Sequence, residues 1–150
     1  MRRFTTGLVA ILALIALVSC SNLSDVEKAK AEGKGESEIY PVTVDQAWEI
    51  SLKVLRWEGS DAIEEHKSEG YMLTSTGMNL VSYGAVMGVW VEKVDKTSTK
   101  VTFVTKRRLK TDVFTTTTHK RFHELFAKAV QLVKDGQPLP LKAQIGRAHV

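Results

Sequence analysis

The stretch Ala85–Arg108, AVMGVWVEKVDKTSTKVTFVTKRR, decides the fold. Two runs, Ala85–Val94 and Lys100–Arg108, flank the polar link Asp95-Lys96-Thr97-Ser98-Thr99. Val86, Val89, Trp90 and Val91 in the first run, and Val101, Phe103 and Val104 in the second, are the β-branched and aromatic types that suit a pleated, half-buried surface. A polar link this short joins antiparallel neighbours, because a parallel return would need a crossover of a dozen residues or more. The stretch is therefore a β-hairpin.

A second pair lies upstream. Asp61–Lys67 and Gly70–Thr76 flank a tight turn at Ser68-Glu69. Further upstream, Glu38–Val42 is an edge strand, since Pro41 cannot donate to a ladder. Thr43 and Gln46 form a capping box for a helix over Val44–Glu58, which Gly59 stops. Val44, Ala47, Trp48, Ser51, Val54 and Leu55 share one face of it, widened by Ile50, Leu52 and Trp57; Asp45, Glu49, Lys53 and Arg56 lie opposite. Downstream of a threonine-rich loop, His119–Lys134 forms a helix. Phe122, Leu125, Phe126, Ala129, Val130, Leu132 and Val133 are its buried face, and Asp135-Gly136 ends it. The order β-α-β-β-β-β-α predicts an α+β domain over residues 37–135, an antiparallel sheet of four to five strands with two helices packed on one face.

The ends read differently. Arg2 and Arg3 precede an apolar run, Gly7–Val18, which at 12 residues is short of the roughly 20 a spanning helix needs. It closes on Leu17-Val18-Ser19-Cys20, which resembles the lipobox of bacterial membrane lipoproteins. The resemblance implies a signal peptide over 1–19, cleavage before Cys20, and a diacylglyceryl thioether on the Cys20 thiol, often with an added N-acyl chain such as palmitate. At about 0.8 kcal/mol per buried methylene, two or three chains make an essentially permanent anchor. Ser21, where an Asp would favour inner-membrane retention, implies the outer membrane with the domain facing the periplasm.

Residues 20–36, with Lys28, Lys30, Glu32, Gly33, Lys34, Gly35 and Glu36, are expected to be the lipidated cysteine and a flexible tether. Weak helical spacing at Val26 and Ala29 has no evident partner. Residues 136–144 are a tail. Ile145–Val150 is what one frame of a common sequencing adapter encodes, and is set aside as a scar. Over residues 37–135 the element order resembles small, mostly uncharacterised periplasmic lipoprotein domains, including helix-grip-like modules of outer-membrane assembly factors. That resemblance implies no particular activity.

A chain 43% hydrophobic and 25% charged is neither disordered throughout nor a polytopic membrane protein. One cysteine excludes an internal disulfide framework and a four-cysteine metal site. The formal charge of +4 belongs largely to the ends, since residues 20–144 hold 18 Lys+Arg and 17 Asp+Glu. Charge is segregated instead: residues 20–95 carry a net −7 and residues 96–144 a net +8. Nucleic acid is not an expected partner of an exported domain.

Lys106, Arg107, Arg108 and Lys110 are the strongest polar feature, a candidate cradle for an anionic lipid or an acidic envelope protein. Met78, Leu80 and Tyr83, between Gly77 and Gly84, are a candidate apolar lip. His119 and His123, spaced i, i+4, could share a metal, although the run lacks the HExxH order. Glu64 and His66 face one way on their strand and Glu65 the other, so they are not a ready acid/base pair. No nucleophile elbow, Walker loop or dinucleotide fingerprint occurs. The expected function is a lipid-anchored, non-enzymatic envelope protein with a structural, assembly or ligand-binding role. Its one non-protein group would be the covalent lipid on Cys20, and its partners the membrane and an envelope protein or anionic lipid. The alternative is a metal-binding or hydrolytic periplasmic protein using His119 and His123.

Overall fold

The computed structural model describes residues 21–77, 84–108 and 117–143. In chain order the elements are α1 (Leu23–Ala31), β1 (Glu36–Tyr40), α2 (Val44–Trp57), β2 (Ser60–His66), β3 (Tyr71–Thr76), β4 (Ala85–Lys93), β5 (Thr99–Arg107) and α3 (His119–Lys134). The strands form one sheet in the order β1-β5-β4-β3-β2. Every pairing is antiparallel. The fold is α+β, as expected, and the described residues hold five strands and one more helix than expected.

The β4–β5 hairpin runs in unbroken register from Ala85 opposite Arg107 to Lys93 opposite Thr99. Met87, Val89 and Val91 of β4 and Val101 and Phe103 of β5 join the main core beneath α2 and α3. Phe103 stacks on Phe122 of α3 at 4.1 Å, and Phe126 packs on Tyr40 at 4.4 Å. Helix α2 contributes Trp48, Ile50, Val54 and Leu55, all buried. Each such side chain contributes about 1.5–3 kcal/mol relative to exposure. The Thr43 cap forms as expected, its hydroxyl accepting from the Gln46 amide at 3.3 Å and its amide donating to the Gln46 side chain at 3.0 Å.

The opposite face of the sheet corrects one expectation. Residues 23–31 are not a free tether. They form α1, which buries Val26 and Ala29 against Leu73, Val86 and Val104, with Leu23, Tyr71 and Trp90 around them. The physical reason lies in the strands. Period-two alternation sends Val86, Val104 and Leu73 to the face away from α2 and α3, and gives that face a smaller apolar patch of its own. It must be covered, and the polar-looking N-terminal segment covers it. Gly88 leaves room for this contact, since a Cβ there would lie 2.6 Å from the Trp90 ring and 2.8 Å from Val26.

Smaller differences have local causes. Strand β1 occupies 36–40 instead of 38–42, ending just before Pro41. The link between β2 and β3 is a 3-10 turn, Lys67–Glu69, closed by Gly70 at φ 76°. The described part of the expected tail is held in place: Trp57 Nε1 donates to the Pro140 carbonyl at 3.0 Å, and Leu139 and Ala143 pack on the core. Among the described residues no helix is long and apolar enough to cross a membrane.

Seating of α1 can be tested by urea denaturation. Gly88→Ala is expected to lower the unfolding free energy by about 1–3 kcal/mol through overpacking, and Val26→Ala by about 1–2 kcal/mol through lost burial. Both act on one contact, so the double variant loses less than the sum. Unchanged midpoints would mean that α1 is not seated.

Candidate functional site

Two polar regions stand out. The first is the end of β5. Lys106 pairs opposite Val86 and Arg107 opposite Ala85. Alternation puts Lys106 on the α1 side of the sheet and Arg107, which is exposed, on the other. Arg108 follows the strand and ties three segments together. Its amide donates to the Gly84 carbonyl at 3.1 Å, its carbonyl accepts from the Ser21 amide at 3.4 Å, and its Nη2 donates to Ser75 Oγ at 3.0 Å. Gly84 sits at φ 78°, where a Cβ would lie 2.5 Å from the Thr76 carbonyl, so glycine is required beside the Arg108 junction. Thus Lys106, Arg107 and Arg108 gather at the end of the sheet where α1 enters. Lys110, and Met78, Leu80 and Tyr83 of the candidate lip, lie outside the described residues, as does Cys20.

Nearby, Arg121 in the first turn of α3 is used internally. Its Nε donates to Glu58 Oε1 at 2.7 Å, and the Glu58 side chain is only 1% exposed. Burial pushes the Glu58 carboxyl above the usual range; Arg121 and a Thr117 hydrogen bond offset only part of that. The pair clasps the end of α2 to the start of α3.

The second region lies between β1 and α3, an open cleft of about 470 Å³ lined by Glu36, Glu38, Lys120, His123, Glu124 and Ala127. His123 is buried at 4% exposure. Its Nε2 lies 3.2 Å from the Glu36 carbonyl, which can only accept, so Nε2 carries a hydrogen. Its Nδ1 lies 2.8 Å from the Tyr40 hydroxyl, which is also 3.0 Å from Glu38 Oε2, and the single hydroxyl hydrogen goes to one of these two acceptors at a time. Burial, then the neighbouring Glu38, pushes the Tyr40 hydroxyl well above its ordinary range. His119 lies 3.7 Å from Glu36, but burial holds its imidazole below the ordinary histidine value; Glu36 opposes this and His123 adds to it. Both ring nitrogens of His123 are thus engaged within the protein. Among the described residues, no group of three or more His, Cys, Asp or Glu is placed to hold a metal ion.

The Glu64–His66 segment behaves as its alternation implies. Glu65 accepts from Trp48 Nε1 at 2.9 Å, while His66 stacks on Tyr71 at 4.4 Å on the other face. Tyr40, Glu36, Glu38 and Glu124 were not among the expected site residues. The available signal was that Glu36, Glu38 and Tyr40 alternate onto one face of a strand.

No family model and no curated protein matches the chain. Among solved structures, a crystal structure of a conserved protein from Geobacillus kaustophilus is similar over 67% of this chain and 93% of that one, at 10% identity and a TM-score of 0.38. A likeness this loose leaves function to be argued from the residues.

Two outcomes follow from the buried polar groups. Tyr40→Phe leaves His123 Nδ1 without its partner and is expected to cost about 1–3 kcal/mol in urea unfolding. An unchanged midpoint would remove the bond from the account. For Glu58, a raised folded-state pKa means the folded protein binds this proton more readily than the unfolded chain. Its contribution therefore improves as pH falls toward the ordinary glutamate value of 4.5 and worsens as pH rises. Glu58→Gln should gain on the wild type most near neutrality, with the gain shrinking as pH falls. A difference independent of pH would contradict this.

Proposed function

We propose that the chain is a lipid-anchored, non-enzymatic domain of the bacterial cell envelope, held with the Lys106–Arg108 end of its sheet at the membrane surface. One observation carries this: the amide of Ser21, the residue after Cys20, hydrogen-bonds the Arg108 carbonyl at 3.4 Å. One residue of chain reaches at most about 3.6 Å. Acyl chains on Cys20 would therefore bring the basic end of β5 to headgroup level. Hydrophobic insertion supplies permanence, and each Lys or Arg near an anionic surface adds about 1 kcal/mol. Together they orient the domain, which a flexible tether would not do.

A non-enzymatic role accords with how the polar groups are used. His123 is held through both nitrogens by Tyr40 and Glu36, Glu65 by Trp48, and Glu58 by Arg121. These are contacts that fix structure. The periplasmic, outer-membrane location rests on the lipobox resemblance and on Ser21.

In cells fed labelled palmitate, the full-length chain is expected to take up label and stay with the membrane after a salt wash, and Cys20→Ala is expected to lose both. The unlipidated Cys20→Ala protein should bind vesicles containing phosphatidylglycerol better than neutral vesicles. Lys106→Gln with Arg107→Gln should weaken that binding by about thirtyfold, two charges at about 1 kcal/mol each. Label retained by Cys20→Ala, or equal binding to neutral and anionic vesicles, would contradict the proposal.

A further inference from the structure

Strand β1 is at the edge of the sheet. It pairs with β5 on one side, and among the described residues no strand pairs with the other. Glu36 to Ile39 are exposed, Ile39 at 63%. The backbone groups that face the open side can be identified. The Arg108 amide donates to the Gly84 carbonyl and the Val94 amide to the Ser98 carbonyl, so the even-numbered residues of β5 face β4, and Thr99, Val101 and Phe103 turn toward β1. Glu36, Glu38 and Tyr40 stand opposite Phe103, Val101 and Thr99 and face β5, which turns the amides and carbonyls of Ser37 and Ile39 outward. That spacing is what an incoming strand needs for a first pair of hydrogen bonds.

The surroundings of this edge select the strand that could add to it. Beside it lies the cleft against α3, where Glu36, Glu38 and Glu124 supply three carboxylates and Lys120 one ammonium. Lys120 is 86% exposed and meets Glu124 at 3.8 Å, a pairing that neutralises little. On the other face of the edge, Ile39 presents an uncovered apolar side chain. A second copy of this chain fits badly, because β1 against β1 would set Glu36 and Glu38 opposite the same carboxylates.

We infer that the open edge of β1 receives an extended segment of a partner protein that carries Lys or Arg at alternate positions and apolar residues between them, added as a sixth strand along the α3 cleft. Backbone hydrogen bonds at Ser37 and Ile39 supply affinity, and the carboxylates and the Ile39 side chain supply specificity. The short, acidic strand excludes acidic and self-complementary edges while admitting basic ones.

The test uses fluorescein-labelled heptapeptides of alternating Lys and Val, the same peptide with Glu for Lys, and the Lys peptide N-methylated at alternate amides, each titrated into the full-length protein in detergent. Only the unmodified Lys peptide is expected to bind, and amide exchange at Ser37 and Ile39 should slow when it does. Glu36→Gln with Glu124→Gln, which spares the Glu38 contact to Tyr40, should weaken it. Equal binding of the Lys and Glu peptides, undiminished binding of the methylated peptide, or no binding of the Lys peptide at about 1 mM would overturn the inference.

Discussion

Both faces of the β4–β5 hairpin are apolar, and the rest of the structure follows from the need to cover them. On one face Met87, Val89, Val91, Val101 and Phe103 are buried under α2 and α3; on the other, Val86 and Val104 are buried under α1. A sheet with two apolar faces cannot leave either wet without losing several buried side chains at about 1.5–3 kcal/mol each. The N-terminal segment is recruited for that reason, and its recruitment has a positional consequence. Helix α1 begins where β5 ends, so Ser21 meets Arg108. A segment whose composition suggests a spacer becomes part of the domain.

The α+β class, the order of the strands along the chain and the two large helices were legible from periodicity and turn chemistry. Val44–Trp57 and His119–Lys134 each carry a continuous apolar stripe with a threonine N-cap, and these signals are local. Helix α1 was not legible, because it buries only Val26 and Ala29 and lacks a wide stripe. Its partner is the second face of strands more than 40 residues further along the chain.

The polar contacts were hidden for a related reason. Tyr40 and His123 are 83 residues apart, as are Trp57 and Pro140, and Glu58 and Arg121 are 63 apart. Strand pairing and helix packing bring each pair together, and nothing in local spacing announces it. His119 and His123 share a helix face as their spacing requires, but what surrounds them sets their use. Tyr40 and Glu36 occupy both nitrogens of His123, and burial keeps His119 neutral more readily than in water. Lys106, Arg107 and Arg108 were visible as a run of charge; their nearness to the N-terminal entry became visible only in the fold.

The orientation of the domain depends on α1 being seated on the sheet, since that contact turns an anchor into a fixed attachment. Backbone hydrogen exchange on the full-length, lipid-bearing protein reads this directly. Amides of the last turns of α1, Lys28 to Ala31, should exchange far more slowly than an unstructured chain and be protected together with β4. Exchange of these amides at the rate of a free peptide, with β4 still protected, would show a loose tether and contradict the account.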